Sequence, residues 1–363
     1  MSQVLKSLQL VTQSYNGTPN TGTGALFASG DTVYFENAAS TTFPLGSSGG
    51  SGGYIIVREY TGSAPGGGTL TPTWTNNPSI KYIQVICVGA GGGGGGNNAR
   101  NAPVNMRGGS GGGGGAIAWG FFDSASLTQP SYTISIGAGG AGGAAVAVLT
   151  NTGNNGSAGG YTTFGGTMVS ASGGSGGAGA INVAGTSTVA AGGLAINCLP
   201  GPGFAINGGL GAVGSTAINS PNASSSFSTP LVPIGTSGGG ASWSIAADGT
   251  IKSGSLGGGG FEWNTLKSNN NTSSNSGSNN LVNAVVLLQF TSSILTTTYG
   301  LGGGGNGALT TVGTFNVSGS GGNGGLYGAG GGGSSPLYSA TIGRFGFPGG
   351  SGSSGLCIVV EYY

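Results

Sequence analysis

The stretch GAGGGGGGNN, residues 89–98, places six consecutive glycines directly after the apolar run YIQVICV. Glycine loses more backbone freedom on folding than any other residue, so such a run requires a structural reason. An extended helix with three residues per turn supplies one. Helices of this kind can pack side by side and exchange backbone hydrogen bonds when no Cβ separates them. The run therefore predicts a rod of polyglycine helix in the core of the fold.

Similar glycine-rich runs recur as far as the C-terminus, and we expect them to form one block of rods. Eight residues at a rise of about 3.1 Å span about 25 Å, so the runs predict rods of similar length. Disordered linkers are the alternative, which the aromatic and aliphatic residues between the runs disfavour. The runs cover about residues 89–96, 108–115, 137–143, 172–179, 207–214, 237–240, 254–260, 300–307, 318–333 and 349–355.

Composition excludes several classes of protein. Glycine accounts for 87 of the 363 residues, and yet 36% of the residues are hydrophobic and the net charge is only +1. Charge repulsion therefore does not oppose collapse, unlike in a typical disordered chain. No collagen repeat is present. Near-neutrality argues against nucleic acid as a partner. Histidine is absent, and no motif for a cofactor or metal occurs, so we expect neither an enzyme nor a cofactor-binding protein.

Three strand-like runs predict a small β-sheet that holds both ends of the glycine block. They are rich in β-branched and aromatic residues and have the length of one strand each. We expect Trp74 to pack against this sheet, and we expect Cys87 and Cys357 to be small buried hydrophobes of its strands. The runs are YIIVREY at 54–60, IKYIQVICV at 80–88 and LCIVVEYY at 356–363.

The N-terminal region predicts a separate strand module. Short β-rich runs at 25–28, 32–36 and 41–45 are separated by polar turns, which is typical of a meander. So short a segment hides too little surface to fold alone. We therefore expect partner chains in a closed trimer, or else a hairpin that docks on the block. The predicted domains are residues 1–50, a linker and base strands at 51–88, the glycine body at 89–355 and a closing strand at 356–363.

The chain resembles the glycine-rich tail-fibre and receptor-binding proteins of bacteriophages. The resemblance covers about residues 54–363 and rests on the order of YIQVICVGAGGGGGG, YTISIGAGGAGG and the terminal GGSGSSGLCIVVEYY. It implies a polyglycine-II helix sandwich whose loops bind the host surface. Residues 25–45 resemble the short strand modules of trimeric phage fibres. The expected fold is mostly β plus irregular, with a fibre-like N-terminal β segment, a small β base, the polyglycine sandwich and almost no α-helix.

Rod direction predicts which loops share the end of the block away from the base. If 89–96 runs outward and 108–115 returns, then residues 97–107, 144–155 and 335–348 are tip loops and 116–136 lies at the base. The direction of the long segment 261–299 is not fixed. Aromatic and arginine side chains usually dominate binding energies. The candidate receptor-binding residues are therefore Arg100, Met106, Arg107, Phe261, Trp263, Arg344, Phe345 and Phe347.

These features predict a virion fibre or spike made in a host cytoplasm, without a signal peptide or membrane-inserted segment. The expected partners are a host cell-surface glycan or outer-membrane protein, and other virion proteins at the N-terminus. A structural head fibre or capsid decoration without receptor binding is the first alternative. A glycan depolymerase that uses Asp248 and Glu262 is a second, disfavoured because the chain holds few carboxylates. The tip arginines suit an acidic glycan, or else they are scattered solubilising charges.

Overall fold

A computed structural model describes two packed β-sheets and a block of glycine-rich rods. Among the described residues it contains no α-helix, and its single helical turn is the 3₁₀ turn Ser124–Ser126. The mostly β and irregular fold expected from the sequence is therefore confirmed. The description covers residues 55–62, 68–100, 107–146, 152–181, 203–212, 238–240, 319–325, 327–335 and 347–363, with Thr236 and the backbone of the short strands elsewhere.

The strands follow the β-rich runs of the sequence. In chain order they are β1 (Ala25–Ser29), β2 (Thr32–Glu36), β3 (Thr42–Leu45), β4 (Ile55–Thr61), β5 (Thr73–Thr75), β6 (Tyr82–Val88), β7 (Ala99–Arg100), β8 (Ile117–Asp123), β9 (Ser131–Ser135), β10 (Thr162–Phe164), β11 (Val169–Ala171), β12 (Ala195–Ile196), β13 (Gly203–Ile206), β14 (Ser244–Ile245), β15 (Ile251–Lys252), β16 (Gly260–Glu262), β17 (Thr265–Lys267), β18 (Val286–Leu287), β19 (Thr298–Tyr299), β20 (Leu337–Tyr338) and β21 (Leu356–Tyr362).

Two five-stranded antiparallel sheets form what we call the β base. The first has the order β13-β8-β6-β21-β4, which confirms that the three predicted runs share one sheet. The second has the order β12-β11-β10-β9-β5. The base thus also recruits β8 to β13 from within the predicted glycine body, so residue 88 is not a boundary in space. β1, β2 and β3 form the expected antiparallel meander.

The two sheets of the β base pack their apolar faces together. Alternate residues of β6 and β8, such as Ile83 and Phe122, meet Trp74, Ile134 and Phe164 of the second sheet in one buried cluster. Trp74 is 1% exposed and its ring centroid lies 5.7 Å from that of Phe164. The predicted contact between Trp74 and the base is therefore confirmed. Burial of large aromatic rings supplies most of the free energy of such a core.

A buried carboxylate joins the two sheets within this core. Glu361 is fully buried and accepts hydrogen bonds from Trp74 Nε1 at 2.6 Å and from Tyr363 Oη at 2.9 Å. Arg58 pairs with it from β4, and this hydrogen bond raises the pKa of the Arg58 guanidinium. The carboxylate thus accepts hydrogen bonds from Arg58, Trp74 and Tyr363, which offset the cost of burying its charge.

The glycine-rich runs form extended rods, some of which run away from the β base while others run back towards it. Together the rods form what we call the glycine block. The run 318–333 was predicted as a single rod, and the structure corrects this. The chain turns at Tyr327–Gly328, where Gly328 has φ 71°, so the run forms two rods. The predicted runs 254–260 and 300–307 lie largely outside the described residues. Rods 1 to 10 span residues 89–97, 108–116, 137–144, 153–160, 172–180, 207–212, 238–240, 319–325, 328–335 and 347–355.

Rod 1 repeats its hydrogen-bonding partner every third residue. The N–H of Gly92 donates to the carbonyl of Gly113 in rod 2 at 2.9 Å, and the N–H of Gly95 donates to Ser110 in the same rod at 2.8 Å. The intervening residues donate to rods 4 and 10 with the same spacing. Three residues per turn is the repeat of a polyproline-II-type helix, so the expected polyglycine helix is present.

Rod 1 is enclosed on all sides by other rods. It donates to rods 2, 4 and 10, whose residue numbers fall as those of rod 1 rise, so these three rods are antiparallel to it. Its own carbonyls accept from three parallel rods, numbers 3, 5 and 9, through Gly140 to Gly91, Gly177 to Gly93 and Gly331 to Gly92. Backbone groups therefore satisfy one another across the block in two dimensions, and the predicted directions of rods 1, 2, 3 and 10 are confirmed.

Glycine is required in rod 1 because neighbouring backbone occupies the space of a side chain. A Cβ added at Gly92 would overlap the carbonyl oxygen of Ser175, and one added at Gly93 would overlap that of Ala141. Real Cβ atoms essentially never approach another heavy atom more closely than 3.0 Å. The absence of side chains is thus what allows the rods to reach hydrogen-bonding distance.

Candidate functional site

Several rods of the glycine block begin or end together at the side away from the β base, and we call this end the tip. Rods 1, 3, 5 and 9 run outward from the base, and rods 2, 4 and 10 return to it. The tip therefore contains residues 97–100, 107, 152, 181, 335, 337–338 and 347, where the described rods end. Residues 97–100 and 107 share this end with residues 335, 337–338 and 347, as the directions of the runs predicted; the rest of the predicted loops 97–107 and 335–348 lies outside the described residues, apart from residue 348.

Two short pairings tie the loops of the tip together. β7 and β20 pair in parallel, with Ala99 opposite Leu337 and Arg100 opposite Tyr338. Arg107 and Thr152 each form a bridge with Ile181. The first pairing joins the ends of rods 1 and 9, and the second joins the ends of rods 2, 4 and 5, so backbone from five rods is paired at the tip.

The candidate arginines of the first loop have different positions at the tip. Arg100 lies in β7 beside Tyr338. Arg107 also lies at the tip, and its N–H donates to the carbonyl of Ile181 at 2.9 Å. Its side chain is nevertheless enclosed: Arg107 is only 5% exposed, and desolvation lowers the pKa of its guanidinium. The expectation that Arg107 is exposed for recognition is therefore wrong.

The remaining candidates are placed only in part. Phe347 is partly exposed at the tip, and its carbonyl accepts from the N–H of Asn97 at 3.3 Å. Phe261 belongs to the hairpin of β16 and β17, as does Glu262. Met106, Trp263, Arg344 and Phe345 lie outside the described residues, as does Asp248. The structure therefore joins Arg100, Arg107 and Phe347 at one end and leaves the grouping of the others as a prediction.

Asn97 and Asn98 are tip residues that the sequence analysis did not select. Both are fully buried where rod 1 ends, and within the described ranges neither the Nδ2 nor the Oδ1 atom of Asn97 has a hydrogen-bond partner. An unsatisfied buried amide is costly, so this side chain is a weak point of the tip. The pair of asparagines directly after the six glycines was the available signal, since it marks the end of the rod.

A comparison with known protein families identifies the family of the chain. A glycine-rich domain family matches residues 65–363. The chain belongs to this glycine-rich domain family. The match begins between β4 and β5, so it includes the β base except β4, together with the glycine block and the closing strand β21. A search of curated proteins gives no match.

The described residues were also compared with the requirements of a metal site and of a membrane-spanning helix. Within the described ranges, no group of three or more His, Cys, Asp or Glu residues is arranged to hold a metal ion. No helix in the described part of the chain is long and apolar enough to cross a membrane. The tip is therefore the feature of this glycine-rich domain that we develop below.

Proposed function

We propose that this glycine-rich protein is a bacteriophage virion fibre or spike that binds a host receptor through the loops of its tip. The observation that carries the proposal is that the ends of rods 1, 2, 4, 5, 9 and 10 lie together at one end of the hydrogen-bonded glycine block. Binding residues are often found on loops that a rigid scaffold positions.

The glycine block separates the requirements of folding from those of recognition. A side chain within rod 1 would overlap backbone of the adjacent rods, so the rods accept little variation. The tip loops lie outside this packing, and exposed loops tolerate substitution and insertion far better than packed elements. Such a scaffold lets the recognition surface change while the block is retained, which suits attachment to a variable host surface.

The expected receptor is a host cell-surface glycan or an outer-membrane protein. Aromatic faces and arginines dominate many binding surfaces, and the tip segments contain Arg100, Arg344, Phe345 and Phe347. Arg107 is left out of this set because it is buried. An acidic or phosphorylated glycan would combine stacking on aromatic rings with charge-assisted hydrogen bonds from arginine.

The N-terminal meander of β1, β2 and β3 is proposed to join three chains and to attach them to the virion. The meander is too small to bury a core of its own, and closed symmetry supplies the missing surface. Solution mass should therefore correspond to three chains for the full-length protein and to one after deletion of residues 1–50. A monomeric full-length chain would contradict this part of the proposal.

Attachment to host cells tests the recognition role. The double variant Arg344→Ala/Phe345→Ala should abolish binding of the purified chain to cells that the wild-type chain binds, with folding and mass unchanged. The matched control is Lys81→Ala/Phe121→Ala, which removes the same kinds of side chain from exposed positions of the β base. Binding by both variants within about twofold of wild type, less than about 0.4 kcal/mol, would reject a recognition role for this loop.

The same assay distinguishes the structural alternative. If the protein is a head fibre or decoration spike without a receptor, the wild-type chain should not bind cells and should not compete with virions for adsorption. Competition by the wild-type chain that the control variant retains and the tip variant loses supports receptor binding through the tip.

A further inference from the structure

Two cysteine thiols lie opposite each other in the core of the β base. Cys87 of β6 and Cys357 of β21 are register partners in the antiparallel pair. Their Sγ atoms are 3.8 Å apart, and both side chains are fully buried and reduced. Directly opposed residues of antiparallel strands have Cα atoms about 4.5–5.5 Å apart. This separation lies within the range of about 4.4–6.8 Å that a disulfide bridges.

The two cysteines lie at the entrance and the exit of the glycine block. β6 ends at Val88 and leads directly into rod 1, whereas rod 10 ends at Gly355 and leads directly into β21. The two cysteines therefore lie on the strands by which the chain enters and leaves the glycine block. They are separated by 270 positions in the sequence, and that interval contains every rod described above.

We infer that Cys87 and Cys357 form a cross-linking site that closes the glycine block into a covalent loop. The oxidant is a small hydroperoxide. One thiol loses its proton and its sulfur attacks the peroxide O–O bond, which breaks to give a sulfenic acid and a hydroxide or alkoxide that takes up the proton and leaves as water or an alcohol. The second thiol then attacks the sulfenic sulfur, the S–S bond forms and water leaves. The two sulfurs lose two electrons in total, and the two oxygens of the peroxide bond accept them.

Burial determines which reagents reach this site. Cys87 lies against β11, with its Sγ 4.0 Å from the carbonyl of Val169, and Cys357 belongs to the same buried cluster. Reaction in the folded chain is therefore confined to small oxidants that enter the core. The disulfide, once formed, is shielded from attack by bulky thiols, because exchange requires access to a sulfur atom.

Cross-linking stabilises the native state by restricting the unfolded chain. The restriction increases with the length of the closed loop, and the loop here contains the whole glycine block. With both ends of the block fixed to one another, β6 and β21 cannot separate, so opening of the block from its base is suppressed in the oxidised form. The thermal midpoint of unfolding should therefore be higher after oxidation.

The test uses the folded full-length chain with Cys198→Ser, which removes the third cysteine. The reduced protein is treated with hydrogen peroxide, quenched, denatured and alkylated with N-ethylmaleimide. We expect a chain about 2 Da lighter that carries no alkyl group, a peptide that joins Cys87 to Cys357, and a thermal midpoint several degrees above that of the reduced protein. The reducing agent dithiothreitol, added after denaturation, should restore both alkylation sites.

A second variant cannot form the disulfide and serves as the control. Cys87→Ala in the same background replaces one buried thiol with a small apolar group, and it should show neither the mass loss nor the shift in midpoint. Complete alkylation of both thiols after peroxide, or oxidation of each to a separate sulfinic acid, would overturn the cross-linking site. A disulfide that leaves the midpoint unchanged would overturn its stabilising role.

Discussion

The β base and the glycine block build their cores from different parts of the chain. In the base, side chains such as Trp74, Ile134 and Phe164 fill the space between two sheets. In the block, the backbone of rod 1 is surrounded by the backbones of other rods. The base thus depends on the shapes of side chains, and the block depends on their absence. A substitution that one region tolerates should therefore disrupt the other.

The comparison also shows why glycine is used here. Among the described glycines, only Gly165, Gly166 and Gly328 have a positive φ, and these belong to turns. Apart from Gly328, with which rod 9 begins, the described glycines of the rods adopt a backbone that other residues also adopt. They are required for space rather than for conformational freedom, whereas the turn glycines are required for conformation.

The largest expected effect is a side chain added inside the block. Gly92→Val or Gly112→Val should cost about 4 kcal/mol or more in the free energy of unfolding, because the added atoms overlap carbonyl oxygens that cannot rotate away. Urea unfolding measures this loss. The control is Gly68→Val, where a Cβ would meet nothing within 4 Å. Equal stability of all three variants would contradict the packing of the rods.

The second largest effect is expected from removal of the cation in the Arg58–Glu361 ion pair of the β base. Arg58→Met should cost about 2 kcal/mol, because the carboxylate of Glu361 stays buried without its cation. The loss is below that of a fully buried pair because the Arg58 side chain is 47% exposed. Lys81→Met, which removes an exposed cation from the same base, should be nearly neutral in the same measurement. A larger loss for Lys81→Met than for Arg58→Met would refute the role of the buried pair.

A smaller loss of stability is expected when a packed glycine of rod 4 is substituted than when a side chain is added inside rod 1, and an exposed position of the same rod serves as the control. In rod 4, a Cβ at Gly156 would overlap the carbonyl oxygen of Gly93, whereas the side chain of Ser157 is exposed. Gly156→Ala should therefore cost about 1.5 kcal/mol, and Ser157→Ala less than about 0.5 kcal/mol. Thermal unfolding of the two variants in parallel measures the difference. Indistinguishable midpoints would mean that rod 4 is not packed as described.

The smallest expected effect is a dependence of the base on alkaline pH. Partial burial raises the pKa of Tyr327 and of Tyr362 to about 12, from an ordinary value of 10.0. A raised pKa means that the folded state favours the protonated phenol. This contribution to stability is present below pH 10 and is lost as the pH rises towards 12. The double variant Tyr327→Phe/Tyr362→Phe should lose less stability over this range than wild type does.

Much of the fold could be predicted because its signals are local. β-branched runs identified β4, β6 and β21, and glycine runs identified most of the rods. Rod 4 was missed because its glycines recur only at every third position, as Gly153, Gly156 and Gly159. Such a rod needs glycine only on the face that meets rod 1. The spacing of three was the signal, and a search for consecutive glycines does not detect it.

The second sheet and the details of the tip could not be predicted from local patterns. β9 comes from the gap between rods 2 and 3, whereas the β10–β11 hairpin comes from the gap between rods 4 and 5, and nothing in these short segments indicates that β9 pairs with β10. Arg107 was predicted to lie in an exposed tip loop, whereas it is 5% exposed and its backbone forms a bridge with Ile181, which is distant in the sequence. Long-range pairings of this kind determine exposure, and a residue's neighbours in sequence do not reveal them.

The enclosed backbone of rod 1 has a calorimetric consequence. Unfolding of an ordinary core raises the heat capacity because apolar surface meets water, whereas exposure of polar groups lowers it. The core of the glycine block consists largely of peptide groups, so its unfolding should change the heat capacity by less than the usual value of about 12–15 cal/mol/K per residue. The stability curve of the block is then flatter than that of the base, and the block withstands cooling better than the base that holds it.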